Sequence, residues 1–143
     1  MKPNEGRLQT GEHILAKTIM DLVPDARVTM ARFDKENEGH LEISTTTDLR
    51  TFPIDTIENA VNSIIKKNLP VEKKIIPRSE AKEFDLTRLP PHVNEIRIVE
   101  ILGFDRRPCR DPHVDNTSEI GRFKIVSVER NGKDRYKYKF NVE

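Results

Sequence analysis

Cysteine is almost missing from this chain: Cys109 stands alone among 143 residues, which excludes an intrachain disulfide. Also lacking are an apolar signal segment and any apolar run of bilayer length, because charged residues, 34% of the chain, interrupt every such stretch. These absences exclude a disulfide scaffold and a helical membrane protein, and they make the cytoplasm the expected compartment. An excess of one charge sign is absent too. With a formal net charge of +1 there is no global pull on polyanions, so any nucleic-acid contact has to be local. No repeat or low-complexity tract divides the sequence. The apolar side chains suffice for one modest core, and 1–143 reads as a single domain.

Hydrophobic spacing supplies the elements. Leu8, Leu15, Ile19 and Leu22 fall on one side of a helix that begins near Arg7 and ends between Asp21 and Pro24. Segments 27–33 and 40–46 alternate as strands and form a hairpin around Asn37–Gly39. Pro53 suits the first turn of a second helix, whose apolar positions are Ile54, Ile57, Val61, Ile64 and Ile65. Strands are expected over 71–76 and 95–102, with a short helix capped by Ser79 between them. A last hairpin joins 120–128 to 135–142 around Asn131-Gly132, with Tyr136, Tyr138 and Phe140 on one face. The class is α+β: an antiparallel sheet with helices packed mainly on one face.

Two segments carry chemistry. Cys109-Arg-Asp-Pro-His113 sets a soft thiolate four positions from an imidazole, which makes half of a metal site. Gln9-Thr-Gly-Glu-His13 repeats that spacing on the first helix, where residues i and i+4 share a side, here the side opposite the apolar stripe. Together His13, Cys109 and His113 make a three-ligand zinc site whose fourth position stays open to water or substrate, the arrangement of catalytic zinc. Each residue also has a plainer place available, His13 as a half-buried helix residue and Cys109 as an inert packed thiol. His40 and His92 read as a strand and a loop residue.

The same residues carry a family likeness. Gln9-Thr-Gly-Glu-His13-Ile-Leu, Ile57-Glu58-Asn-Ala-Val-Asn62 with Asn68-Leu-Pro-Val71, Glu80-Ala81, Glu95-Ile-Arg-Ile-Val99 and Cys109 through Ile125 follow one another in the order and spacing of the alanyl-tRNA editing family. Over Leu8 to roughly Ile125 the chain resembles the short, free-standing form of that family, which lacks the N-terminal barrel of longer relatives. It is also similar to the editing domain of alanyl-tRNA synthetase and the second additional domain of threonyl-tRNA synthetase. The family pattern is His-x-x-x-His with Cys-x-x-x-His around one zinc ion. Here Gln9 occupies the first histidine position, and Arg110-Asp-Pro112 replaces small residues between Cys109 and His113.

The resemblance implies a zinc-dependent aminoacyl-tRNA deacylase that hydrolyses the ester of mischarged seryl-tRNA for alanine. Its partner would be the acceptor end of tRNA(Ala), with neither DNA nor membrane involved. Gln9 and Asp111 are the expected catalytic or substrate-orienting groups, Asp111 by bonding a ligand imidazole. Arg106, Arg107 and Arg110 bracket Cys109 and would hold terminal phosphates, or else form a solvated loop balanced by Asp105 and Asp111. Arg135, Lys137 and Lys139 read as a solvated strand face. Thr45, Thr46 and Thr47 offer hydroxyls for the amino acid. Two other functions fit the same residues: a non-catalytic tRNA- or synthetase-binding module, and a deacylase of another mischarged pair such as seryl-tRNA for threonine. Oligomeric state is not written in the sequence.

Overall fold

The computed structural model describes residues 4–87 and 89–143. Helix α1 runs Glu5–Leu22 and helix α2 Ile54–Ile65. The strands are β1 Arg27–Lys35, β2 Glu38–Ser44, β3 Val71–Pro77, β4 Glu95–Ile101, β5 Asp105–Pro108, β6 Phe123–Arg130 and β7 Arg135–Val142. The class is α+β, with every strand pair antiparallel. Instead of one sheet there are two, a four-stranded sheet in the order β1-β2-β7-β6 and a three-stranded one in the order β3-β4-β5. Strand β5 went unpredicted because Asp-Arg-Arg-Pro offers no apolar alternation. The helix expected after Ser79 is a single 3-10 turn over Arg78–Glu80, with Ser79 inside it. No described helix is long and apolar enough to cross a membrane.

The two helices lie on the inner face of the larger sheet, where Leu41, Ile43, Phe123, Ile125, Tyr136, Tyr138, Phe140 and Val142 are buried against Leu8, Leu15, Ile19, Ile57 and Val61. Val71, Val99 and Ile101 extend this core into the smaller sheet. The other face of that sheet buries Ile96 and Ile98 under Ala81, Phe84, Leu86 and Val93.

The expectation of a one-sided α1 fails in an instructive way. Leu8 through Ala16 are all buried, the polar Gln9, Thr10, Glu12 and His13 included, whereas Leu22, assigned to the apolar stripe, is 50% exposed. The larger sheet takes the apolar side, while Arg107 of β5 and the segment around His113 reach the polar side. Gly11 permits this burial on the inner side. A Cβ there would lie 2.8 Å from two ring carbons of Phe123. Gly11→Ala should therefore destabilise the protein by about 1–3 kcal/mol through overpacking, against the ~1 kcal/mol gain that alanine brings to an open helix. Urea denaturation checks the sign.

Helix α2 also closes the free edge of β6. The Asn62 side chain donates to Phe123 O at 2.8 Å and accepts from Phe123 N–H at 2.9 Å, and Glu58 accepts from Ile125 N–H at 2.8 Å. An edge strand's exposed backbone groups are thereby satisfied by side chains rather than by another chain.

Candidate metal centre

Two scaffolds bring the candidate ligands together. His13 projects from the middle of α1, and Cys109 follows β5, its N–H donating to Arg97 O of β4 at 3.0 Å. His113 lies four residues on, in a segment strapped to the end of α2: Val71 N–H donates to Asp115 O at 2.8 Å, Thr117 N–H to Leu69 O at 2.9 Å, and the buried Thr117 hydroxyl to Ile65 O at 3.0 Å. Asn68-Leu-Pro-Val71 thus positions His113 from a distance. Its role could not be read from spacing, because the bonded residues stand as much as 52 positions apart.

Ligand atoms of His13, Cys109 and His113 lie within 4.8 Å of one another. His113 Nε2 is 3.3 Å from Cys109 Sγ, and the two imidazole rings meet edge to face with centroids 4.4 Å apart. The set fits zinc, whose bonds to nitrogen and sulfur are about 2.0 and 2.3 Å. The environment points the same way. His13 is 2% exposed, and its Nδ1 is buried with no hydrogen-bond partner among the described residues, as befits a lone pair reserved for a metal.

Hydrogen bonding sets the tautomer of His113. The Thr10 hydroxyl lies 2.9 Å from Gly6 O, a carbonyl that can only accept, so its one proton goes there. Its oxygen then accepts from Val114 N–H at 3.2 Å and from His113 Nδ1–H at 3.0 Å. Nε2 is left with its lone pair toward Cys109. Sequence reasoning missed Thr10. Its only signal is a threonine between Gln9 and His13, one position from the first of the two motif residues on α1. The expected imidazole partner, Asp111, is exposed and sits elsewhere, its Oδ2 3.6 Å from Cys109 Sγ.

Electrostatics keep both imidazoles neutral. Burial, then the charges of Arg97, Lys73 and Arg107, lower the pKa of His113 to about 3. Burial, with Arg107 and His113, holds His13 well below its ordinary value. Burial also pushes the Cys109 thiol up to about 11, with Asp111 and Glu12 adding to the shift. A thiol so hard to ionise is a poor free nucleophile, whereas coordination would deprotonate it outright.

The lowered histidine values have a consequence for metal-free protein. Below the unfolded imidazole's pKa of about 6.5, the unfolded chain binds protons that the folded one refuses, so stability present above pH 6.5 falls as pH drops toward 3. Carboxylates held low, such as Glu38 and Glu42, add their loss only below about pH 4.5. Denaturant titrations should show a downward slope between pH 6.5 and 4.5 that His113→Gln reduces.

The three arginines part company. Arg107 turns inward, 3.0 Å from Asp105, 3.9 Å from the buried carboxylate of Glu12, and donating to His13 O at 3.1 Å. It braces α1 against β5 and is not free to hold a phosphate. Arg106 faces the other side of its sheet, 3.2 Å from Glu83, 3.4 Å from Glu100 and over the Phe84 ring at 5.4 Å. Only Arg110 of the three is exposed beside Cys109 with no ion pair among the described residues. Gln9 is 5% exposed, one turn before His13. Thr45 and Thr46 donate to Asp25 instead of presenting hydroxyls to the cluster. Lys139 pairs with Glu38 at 3.2 Å on the outer face of the larger sheet. His40 lies in β2 and His92 in an exposed turn.

Residues 96–135 match the family described as the threonyl and alanyl tRNA synthetase second additional domain. The chain is related to the alanyl-tRNA editing proteins. Over 90 residues it is 38% identical to alanyl-tRNA editing protein AlaX-M of Saccharolobus solfataricus, an alignment covering 59% of this chain and 38% of that one. Alanine--tRNA ligase of Methanopyrus kandleri is 31% identical over 130 residues, 87% of this chain and 14% of the ligase. Threonine--tRNA ligase of Burkholderia ambifaria is 28% identical over 126 residues, 81% of this chain and 20% of the ligase. The chain thus spans well under half the length of these relatives, and the matched family segment contains both Cys109 and His113.

Proposed function

We propose that this protein is an aminoacyl-tRNA deacylase, hydrolysing the ester of mischarged seryl-tRNA(Ala) at a zinc site made by His13, Cys109 and His113. One observation carries the reading: side chains from the two ends of the chain converge as two neutral imidazoles and a thiol, in a chain related to alanyl-tRNA editing proteins. Zinc held there would supply Lewis-acid polarisation of a carbonyl. His13 and His113 donate lone pairs without first losing a proton, and Thr10 keeps His113 in the tautomer that presents Nε2. Gln9, one turn before His13, carries an amide in place of a further imidazole, and its N–H and C=O would orient the aminoacyl group. Asp111, exposed beside Cys109 with its Oδ2 3.6 Å from the sulfur, would accept a proton from water entering the site. Arg110 is the basic residue available to an incoming acceptor end. An aminoacyl ester is already activated, so positioning and carbonyl polarisation meet most of the chemical demand.

Deacylation of purified seryl-tRNA(Ala), with and without prior chelation of the protein, tests this. Rapid release of serine that chelation abolishes and zinc restores is the expected result. Folded, zinc-loaded protein that releases no serine from tRNA(Ala) overturns the substrate. Release from seryl-tRNA(Thr) instead would move the assignment toward the threonine ligase relatives.

A further inference from the structure

The buried polar side of α1 includes a carboxylate that the proposed chemistry does not use. Glu12 is 4% exposed and immediately precedes His13. A carboxylate taken out of water is costly unless partners lie close to it. The Glu12 Oε2 is 3.8 Å from His13 Nε2, and its Oε1 is 3.9 Å from Arg107 Nη1. Arg107 in turn lies 3.0 Å from Asp105 and donates to His13 O at 3.1 Å. One guanidinium thus holds the backbone of His13 and faces the carboxylate beside its ring, so that Arg107, Glu12 and His13 close a circuit between β5 and α1.

That circuit distinguishes the two ring nitrogens. Nε2 lies at ion-pair distance from an anion, whereas Nδ1 is buried with no hydrogen-bond partner among the described residues. A negative charge attracts an N–H and repels a lone pair, so the proton belongs on Nε2 and the lone pair on Nδ1. His113 is arranged the other way round, with the Thr10 hydroxyl at its Nδ1 and its Nε2 3.3 Å from Cys109 Sγ. The two imidazoles are therefore held through opposite nitrogens and by different chemistry, a neutral hydroxyl for one and a carboxylate for the other. A carboxylate behind an imidazole also makes it a stronger base and a better metal ligand. In a set of three ligands that gain counts for more than in a set of four.

We infer that Glu12 is a positioning residue for the metal: it keeps the proton of His13 on Nε2 and leaves the Nδ1 lone pair for zinc, while Arg107 holds both in place. The inference rests on the zinc-site reading and not on the identity of the ester.

The test uses full-length protein with nitrogen-15 histidine, metal-free and then titrated with zinc, the His13 signals being assigned with His13→Gln. Metal-free wild type should show the Nε2–H tautomer at His13. Glu12→Gln keeps the length of the side chain and removes its charge; it should give a mixture of tautomers and weaken zinc binding about 10- to 100-fold. Glu12→Leu removes the acceptor as well and should lose at least as much. An Nδ1–H tautomer in wild type overturns the inference without any variant, because the Nε2 lone pair would then face the carboxylate. Variants that keep both the tautomer and the zinc affinity while unfolding at lower urea overturn it too, and make Glu12 a structural partner of Arg107. Wild type that shows the Nε2–H tautomer yet binds no zinc would overturn the zinc-site reading and leave the hold of Glu12 on His13 standing. Tight zinc binding without serine release would overturn the deacylase alone.

Discussion

Cys109→Ala is expected to weaken zinc binding by about 1,000-fold or more and to bring serine release down to the level of chelated wild type. Of the three ligands only the thiolate is anionic, so its loss leaves two neutral imidazoles facing a dication. The same variant alters the proton count. With both imidazoles neutral and the thiol pKa at about 11, zinc uptake at pH 7 should release one proton from wild type and none from the variant. Calorimetry in two buffers of different ionisation enthalpy reads that number. Zinc binding undiminished in Cys109→Ala would remove Cys109 from the ligand set. Hydrolysis that is lost in the variant yet insensitive to chelation would retain the enzyme and discard the metal.

The second large effect belongs to a residue that touches neither metal nor substrate. Thr10→Val keeps the shape of the side chain and removes the oxygen that receives His113 Nδ1–H and Val114 N–H. Zinc affinity should fall about 10- to 100-fold, the cost usual for losing a partner that orients a metal-binding histidine. Leaving Val114 N–H unpaired should also cost stability, about 1–3 kcal/mol. Thr10→Ser retains the hydroxyl and should restore most of both. Nitrogen-15 shifts of His113 separate positioning from simple destabilisation: wild type and Thr10→Ser should show the Nδ1–H tautomer, and Thr10→Val a mixture. A valine variant with unchanged tautomer and unchanged affinity would reduce Thr10 to a packing residue.

Much of the fold was legible because its elements have strong periods. Ile54, Ile57, Val61, Ile64 and Ile65 describe one helix face, of which Ile57, Val61 and Ile65 are buried and Ile54 and Ile64 pack against the core in part, and Tyr136, Tyr138 and Phe140 describe one buried strand face. Where the pattern was weak, so was the reading. Strand β5 has three charged residues and a proline in four, and its inward face, Asp105 and Arg107, is held by ion pairs instead of apolar packing. No hydrophobic alternation announces such a strand. Its omission concealed the division into two sheets and made Arg106 and Arg107 look like equals in a loop.

The sequence by itself determined which residue types were available for chemistry: a lone thiol, an imidazole four positions after it, and a second imidazole one turn from Gln9 on a helix. Local spacing fixes such pairs, because 3.6 residues per turn and a short loop leave few ways to arrange them. Only the tertiary structure decided what surrounds them. Arg107 serves α1 while Arg110 faces solvent, and Thr10, not Asp111, holds the imidazole. Those outcomes depend on which element covers which face, and burial, hydrogen bonding and charge pairing between remote segments settle that only when the chain packs.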